Sequence, residues 1–537
     1  MTSSSLYRDQ YRAYVQATGT ALHEATEKTL EQVLEQTNWE NPQTALDWNN
    51  LAVVTLIEAE FVDNLGSRSI RFKKALEALN QGISLGNHPL PFAHLAILKS
   101  LLQPQKDQFT NLFPTFLNLL INGFHAKKNV EIGLIYLPFD FRKIIPQERI
   151  QLQIVNILNA DSGYTQALKL LSESLYRSYY AFYSAPALRL LNLAAQLSPD
   201  SAVTQLKLGI SNLTNACQEG LLNLHRAQAL APHLAAARQA LYLAYRDMGI
   251  PHLAKVWLQA DRGQHETAPI ALSWRWTELA IDAPVTYVPF EESLLMAVGP
   301  SLRSIVTQVL IAEGDWFEPE MEFWRHWLKP GMTVIDVGAN AGVYTFSAAK
   351  RVGPDGRVFA IEPFSRCVEY MEVTKQLNQL DWVSIYKAAA SNRRGTIRLS
   401  LASASELNTV MMDDAQKIAG SFEEVTALPL DDLIEQAQLS RVDWLKIDAE
   451  GHEMQVLQGS DRLLTEFMPG ILYENLGAET HSNLPVAEYL QAKGYRLFRY
   501  QPYLRQLISI ESMSQLPGIL NIIALPSQKL NDFRLSQ

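Results

Sequence analysis

The chain runs to 537 residues, 47% of them hydrophobic, with a formal net charge of -10. That length exceeds one ordinary domain and leads to two or three, each able to bury a full core. The acidic balance argues against a nucleic-acid substrate, which calls for a basic footprint; the two cysteines, Cys217 and Cys367, supply neither a disulfide framework nor zinc-ligand spacing, so a reducing, cytoplasmic setting is the default expectation.

Met1–Gln10 is polar and lacks the apolar stretch of a signal peptide. From about residue 20 to about residue 280 the patterns are Ala/Leu-rich and helical. Trp48–Phe61 and Arg71–Leu85 read as one helix pair, followed by helices at Pro91–Leu102, Asn111–Gly123 and Asp161–Leu175. The most apolar run, Leu112–Phe124, is too short and interrupted to cross a bilayer. Leu175–Tyr183 carries an aromatic stripe, Tyr176, Tyr179, Tyr180, Phe182 and Tyr183, which reads as packing before it reads as a carbohydrate platform.

Leu193–Pro199 is echoed by Arg226–Pro232, with the two prolines 33 residues apart. This spacing is close to the tetratricopeptide period of ~34 residues. Ala202–Leu213 with Gly220–Leu230, and Leu234–Met248 with His252–Ala260, read as two consecutive helix pairs. Ala202, Ala235 and Ala240 stand where one helix approaches its neighbour. The first part, residues 1–283, therefore resembles a tetratricopeptide-like solenoid. Such arrays bind a protein partner, set self-association geometry, or only cover a neighbouring domain.

The boundary falls near Ala283-Pro284, so residues 284–537 form the second part. Val285–Phe290 is strand-like, Ser304–Ala312 is β-branched and stops at Gly314, and Glu318–Leu328 is a helix ended by Pro330-Gly331. Five parallel-type strands follow: Thr333–Val337, Arg357–Ile361, Val383–Ala388, Asp443–Asp448 and Gly470–Glu474. Between the third and fourth lie an added strand, Thr396–Leu401, a polar stretch, Ala402–Phe422, then Val425–Leu428 and a helix at Asp431–Gln438. Ser405, Asn408 and Thr409 are acceptor-contact candidates there, or simply a solvated loop. A helix at Pro485–Lys493 and an antiparallel pair, Tyr495–Tyr500 and Gly518–Leu525, close the chain. The whole is an α/β doubly wound sheet behind an α-helical solenoid.

Thr333–Gly342 is the most informative stretch. A buried strand carrying Asp336 ends in a turn bracketed by Gly338 and Gly342, and the next strand ends in Glu362. Strand, glycine turn, helix and second strand ending in an acid make a nucleoside-binding unit. Asn340 occupies the position where a dinucleotide fingerprint needs its second glycine, and no P-loop lysine follows Gly342. Asp336 repels phosphate and welcomes a cation, which favours S-adenosyl-L-methionine, a nucleoside with ammonium and sulfonium groups and no phosphate. The bland alternatives are a packing turn and, for Glu362, a solvated strand end. Asp336 is harder to set aside, because an unpaired carboxylate at a buried strand end is costly. The rule that ligands sit at the carboxyl ends of parallel strands gathers Asp336, Glu362, Ala389 and Asp448 into one crevice.

Val334–Asn340, Ile361-Glu362-Pro363, Leu445–Glu453 and Leu472–Asn475 together resemble the FkbM family of methyltransferases, from about Glu313 onwards. The resemblance implies a class I, Rossmann-like, seven-stranded methyltransferase domain, S-adenosyl-L-methionine as cofactor, and methylation of a hydroxyl oxygen on a sugar, polysaccharide or secondary metabolite. Cofactor contacts are expected at Asp336, Gly338, Asn340, Gly342, Glu362, Ala389 and Asp448. The proton of the acceptor hydroxyl needs a base, for which Asp448, Glu450 and His452 are the candidates, His452 by its ordinary pKa and Asp448 by its place at the strand tip. Glu453 also fits the first turn of a helix. Lys446, inside a buried strand, needs a carboxylate partner, Asp448 or Glu474. Asp448, Glu450 and His452 carry donors that suit a divalent metal, but no metal is assigned. The rival reading is a non-catalytic scaffold with a degenerate, cofactor-binding second domain.

Overall fold

The computed structural model describes residues 3–16, 22, 24–62, 64–86, 88–102, 130–137, 147–175, 185–259, 271–401, 409–411, 422–475, 482–501 and 505–530. The expected helix Asn111–Gly123, the apolar run Leu112–Phe124, the aromatic stripe from Tyr176 to Tyr183, and Ser405 and Asn408 lie outside the described residues. Thr409 opens a short strand. The chain forms two compact units, one built mainly from Met1–Ala244 and the other from Tyr245–Ile311 and Glu318–Arg534.

The first unit is helical. Ala45–Glu60 starts at a reciprocal capping box between Thr44 and Asp47, buries Val53, Val54, Leu56 and Ile57, and packs along Leu65–Ser84. Helices Pro89–Leu102 and Gly163–Leu175 pack together, as do Ala202–Thr214 and Gly220–Leu230. Glycine makes the last contact close: a Cβ on Gly220 would lie 2.4 Å from the Gly209 carbonyl oxygen. The helix bounds read from sequence agree to within about six residues; Ala202, Ala235 and Ala240 are buried, and Gly209 and Gly220 make the closest approach at this crossing. One extended segment, Val130–Leu137, runs among the helices with Leu134 to Leu137 fully buried.

The second unit opens with an antiparallel hairpin, β1 (Thr286–Phe290) and β2 (Leu294–Val298). The β-branched run near Ser304 is a helix, Ile305–Glu313. Its N-terminal Thr307 N–H is capped by Ser304 Oγ at 3.4 Å, and burial of Val306, Val309, Leu310 and Ile311 overrides β-branching. The strands that follow are β3 (Thr333–Val337), β4 (Arg357–Glu362), β5 (Val383–Ala390), β6 (Gly395–Ser400), β7 (Thr409–Met411), β8 (Phe422–Leu428), β9 (Trp444–Ile447), β10 (Gly470–Glu474), β11 (Tyr495–Gln501), β12 (Gln506–Ser509) and β13 (Asn521–Pro526).

Among the described residues they form one eleven-stranded sheet in the order β12-β11-β13-β10-β9-β3-β4-β5-β8-β6-β7. The seven expected strands are its centre. β5, β4, β3, β9 and β10 are mutually parallel, and β13 and β11 are antiparallel. β12 extends one side; β8, β6 and β7 extend the other. Strand order reverses at β3, between β4 and β9, and such a switch point opens a crevice at the strands' carboxyl ends. Helix Glu320–Trp327 lays Phe323 and Trp324 edge-on against Trp444 of β9, at centroid distances of 5.3 and 6.2 Å.

Candidate active site

All five residues of β3 are buried, so its single acid, Asp336, enters the interior with them. Asp336 Oδ2 accepts a hydrogen bond from Thr345 Oγ1 at 2.6 Å, while Oδ1 is buried with no hydrogen-bond partner. Burial pushes this carboxyl up to about 6, against the pull of Lys446 and the Thr345 bond. Lys446 is the register partner of Asp336 on β9. Its Nζ lies 2.9 Å from Asp448 Oδ2 and 4.6 Å from the centre of the Tyr344 ring. Burial would depress the ammonium, but Asp448, Asp336 and Glu318 outweigh it and raise its pKa. The expected ion pair therefore forms with Asp448, and Asp336 shares the same cation's field.

The turn after β3 is held by backbone. Gly338 has φ +71°, its N–H donates to Ile361 O at 2.9 Å, and a Cβ there would lie 1.6 Å from Asp448 O. Only glycine brings the β3 turn this close to the end of β9. Asn340 is left-handed at φ 49° and its N–H donates to Glu362 Oε2 at 2.8 Å; Phe364 N–H donates to Glu362 Oε1 at 2.8 Å. Gly342, at φ +90°, leads into helix Val343–Val352, and a Cβ would meet the Phe346 ring at 2.5 Å. Glu362 is thus a buried carboxylate clamped by two main-chain donors, pushed up to about 7 by burial, by Asp336 and by Asp448 despite those donors. Ala389 lies in a small apolar group with Ile397, Leu399, Val425 and Ala427, against which Phe364 packs.

After β9 the chain makes a tight loop, with Glu450 at φ 49° and Gly451 at φ +92°. Glu453 holds it: Oε1 accepts from Ala449 N and Gly451 N, each at 3.1 Å, and Oε2 accepts from Asn483 Nδ2 at 3.0 Å. Asn483 N in turn donates to Asn475 Oδ1 at 2.9 Å, and Asn475 Nδ2 donates to Leu516 O and Ile519 O. Glu453 and Asn475 are therefore positioning residues. His452 points elsewhere: Nε2 is 3.0 Å from Ser391 Oγ, beyond the end of β5, and its pKa is lowered by burial and by Arg393.

The group that meets at the tips of β9 and β10 is Asp448, Glu450 and Glu474, with carboxylate oxygens within 4.8 Å of one another. Glu474 takes the place that the sequence reading gave to His452. Its pKa is raised by burial and by Asp448, Glu450 and Glu453. Glu318 completes the surround, accepting from Tyr344 OH at 2.6 Å and from Asn521 Nδ2 at 3.0 Å. Glu474 and Glu318 were missed as members of the site. The signal for Glu474 was present, since adjacent parallel strands ending in Asp448 and Glu474 must bring the two acids together.

A buried orphan oxygen, an acid with its back fixed by two N–H groups and a partly exposed aspartate therefore sit on three adjacent strands. This donor set is acidic and acceptor-rich, fitted to hydroxyl and cationic groups. Residues 336–497 match the family model described as Methyltransferase FkbM domain. Methyltransferase sdnD of Sordaria araneosa is 24% identical over 169 residues, 26% of this chain and 65% of that protein, so the chain spans just under two thirds of its curated relative. Among solved structures, Methyltransferase FkbM from Methylobacillus flagellatus KT aligns with 15% identity and a TM-score of 0.26, covering 42% of this chain and 54% of that one. A SAM dependent methyltransferase from Aquifex aeolicus aligns with 21% identity and a TM-score of 0.23, covering 39% and 89%. Residues 336–497 are thus similar to methyltransferase FkbM domains.

Proposed function

We propose that the chain is an S-adenosyl-L-methionine-dependent O-methyltransferase acting on a hydroxyl group of a sugar, polysaccharide or secondary metabolite. The observation that carries this reading is the meeting of Asp336, Glu362 and Asp448 at the switch point of the sheet, each within the others' electrostatic reach. The residues fit the cofactor. Glu362 has acceptor capacity left on both oxygens for ribose hydroxyls, and the orphan Oδ1 of Asp336 suits a cationic group. Gly338, Asn340, Gly342 and Ala389 shape the surrounding backbone.

When bound, the cofactor supplies an electrophilic methyl group on a sulfonium. The chain's part is to hold the acceptor oxygen in line and dry, and to take its proton. Asp448 is the best-placed base: it is 31% exposed, while its Lys446 partner is 4% exposed and fixes its orientation. Glu474 and Glu450 lie beside it, with carboxylate oxygens within 4.8 Å of its own. His452, tied to Ser391, acts from further off, in positioning the loop. The methyltransferase part is taken as residues 284–537 and the helical part as residues 1–283. The acceptor's class and the cytoplasmic setting come from the family resemblance and the two free cysteines.

Calorimetry with S-adenosyl-L-methionine tests the reading. Wild type binds, and Asp336→Ala and Glu362→Ala lose binding. A wild type that does not bind, or variants that bind unchanged, refute it. Mass spectrometry of glycans and metabolites with and without the gene then identifies the acceptor by the loss of one methyl increment.

A further inference from the structure

The segment Val130–Leu137 is neither helix nor part of a sheet, yet side chains from the surrounding helices bond five consecutive N–H groups. Gly133 N–H donates to Gln166 Oε1 (2.9 Å), Leu134 N–H to Asn50 Oδ1 (3.0 Å), Ile135 N–H to Tyr11 Oη (3.2 Å), Tyr136 N–H to His94 Nε2 (3.0 Å) and Leu137 N–H to Tyr14 Oη (3.0 Å). The carbonyls are read as well. Gln166 Nε2 donates to Gly133 O, Asn49 Nδ2 to Leu134 O, Tyr14 Oη to Leu137 O and His88 Nε2 to Glu131 O, at 2.7 to 3.2 Å. A strand inside a core normally pairs with another strand. Here a groove among helices Ser3–Gln16, Ala45–Glu60, Pro89–Leu102 and Gly163–Leu175 recognises extended main chain, as a peptide receptor does.

The groove also selects side chains. A Cβ on Gly133 would come within 2.5 Å of Leu46 and 2.8 Å of Leu90, so glycine is favoured there. Gly163 approaches so closely that its own Cβ would sit 2.5 Å from Glu131 O. Tyr136 OH donates to the Glu60 carboxylate, which Arg68 faces at 3.6 Å, both buried. The preferred ligand is therefore an extended apolar segment with a central glycine and a tyrosine three residues later.

The geometry points to a peptide-binding groove in the helical unit, filled in this chain by Val130–Leu137 and able to take the same segment from a second copy. The sequence that fits is one every copy carries, and exchange of an identical element is a low-cost route to association. The inference is independent of methyl transfer.

The test uses the full chain. Leu134→Asp/Tyr136→Asp disables the resident segment and leaves the groove intact; Asn50→Ala/Gln166→Ala disables the groove. A fluorescent peptide with the sequence of residues 130–137 should bind the first variant at least tenfold tighter than wild type by anisotropy. Combining both sets of substitutions should abolish binding. Mixing the two variants should give a 1:1 complex by light scattering. If the first variant loses helical signal and excess peptide restores it, the receptor reading stands. If it stays folded without binding peptide, or unfolds beyond rescue, the segment is only core and the inference falls. Peptide binding without a mixed complex overturns the second copy as partner.

Discussion

The contact between Gly338 and the end of β9 gives the sharpest expectation. Two glycines flank β3 with positive φ, Gly338 at +71° and Gly331 at +79°, but only Gly338 has neighbours within reach of a Cβ. Gly331→Ala should therefore cost only the left-handed penalty, about 1–2 kcal/mol. Gly338→Ala meets the same penalty plus a backbone overlap, since its Cβ would lie 1.6 Å from Asp448 O and 2.7 Å from Asp448 C. Relieving that overlap requires main chain to move, which adds about 1–3 kcal/mol. It also stretches the Gly338 N–Ile361 O and Asp448 N–Val337 O bonds, of 2.9 and 3.0 Å, at roughly 1 kcal/mol each. The total is about 4–7 kcal/mol, a gap of about 3–5 kcal/mol between the two variants. Chemical unfolding followed by tryptophan fluorescence, which Trp324 and Trp444 in the sheet's core report, measures it. Equal destabilisation by the two substitutions would refute the packing of the glycine turn against β9.

Replacing the buried cation, Lys446→Met, leaves Asp336 and Asp448 without their partner and should cost about 3–5 kcal/mol at pH 8. Acids so raised bind protons in the folded state, so the loss should shrink by pH 5.5, as melting curves at the two values would reveal. Cofactor affinity should climb from pH 5.5 to 8, because the buried acids that receive it, Asp336 near 6 and Glu362 near 7, must ionise; calorimetry in buffers of different ionisation enthalpy should detect released protons near pH 6.5. The helical unit should also weaken on acidification. Burial holds His88 down to about 4 and His94 to about 3, below their unfolded value, so protons favour the unfolded chain as pH falls below that value. About 2 kcal/mol per histidine should be lost by pH 5, and His94→Asn should flatten that trend in hydrogen exchange over residues 130–137. Glu453→Ala strands the N–H groups of Ala449 and Gly451 and should loosen the loop bearing Asp448, visible as faster exchange there with the sheet unchanged.

The sheet was legible because its physics is local. Thr333–Val337 and Gly470–Glu474 are short, mostly apolar runs bounded by turn residues, and their limits match the structure. The turn acids were legible too, since Asp336 and Glu362 stand at strand ends whose adjacency follows from a right-handed crossover. What failed was what depends on direction. His452 and Glu474 are both near Asp448 in the sequence logic, but a left-handed Glu450-Gly451 pair turns the loop so that the imidazole faces Ser391. Glu474 was quoted in a motif and still missed, because its role comes from a neighbouring strand. Val130–Leu137 was invisible for a different reason: it has neither period, and its partners are single polar residues 33 to 124 positions away. Ser304–Ala312 is β-branched in part, and burial with a serine cap makes it a helix.

The eleven-stranded sheet has a further consequence at its rims. Among the described residues its outermost members are β7, three residues long, and β12, four residues that are all only half-buried. A long, flat, apolar outer strand is a template on which other molecules stack and grow into aggregates. These two borders offer few unpaired main-chain groups, so a large open sheet is kept from recruiting its neighbours edge to edge.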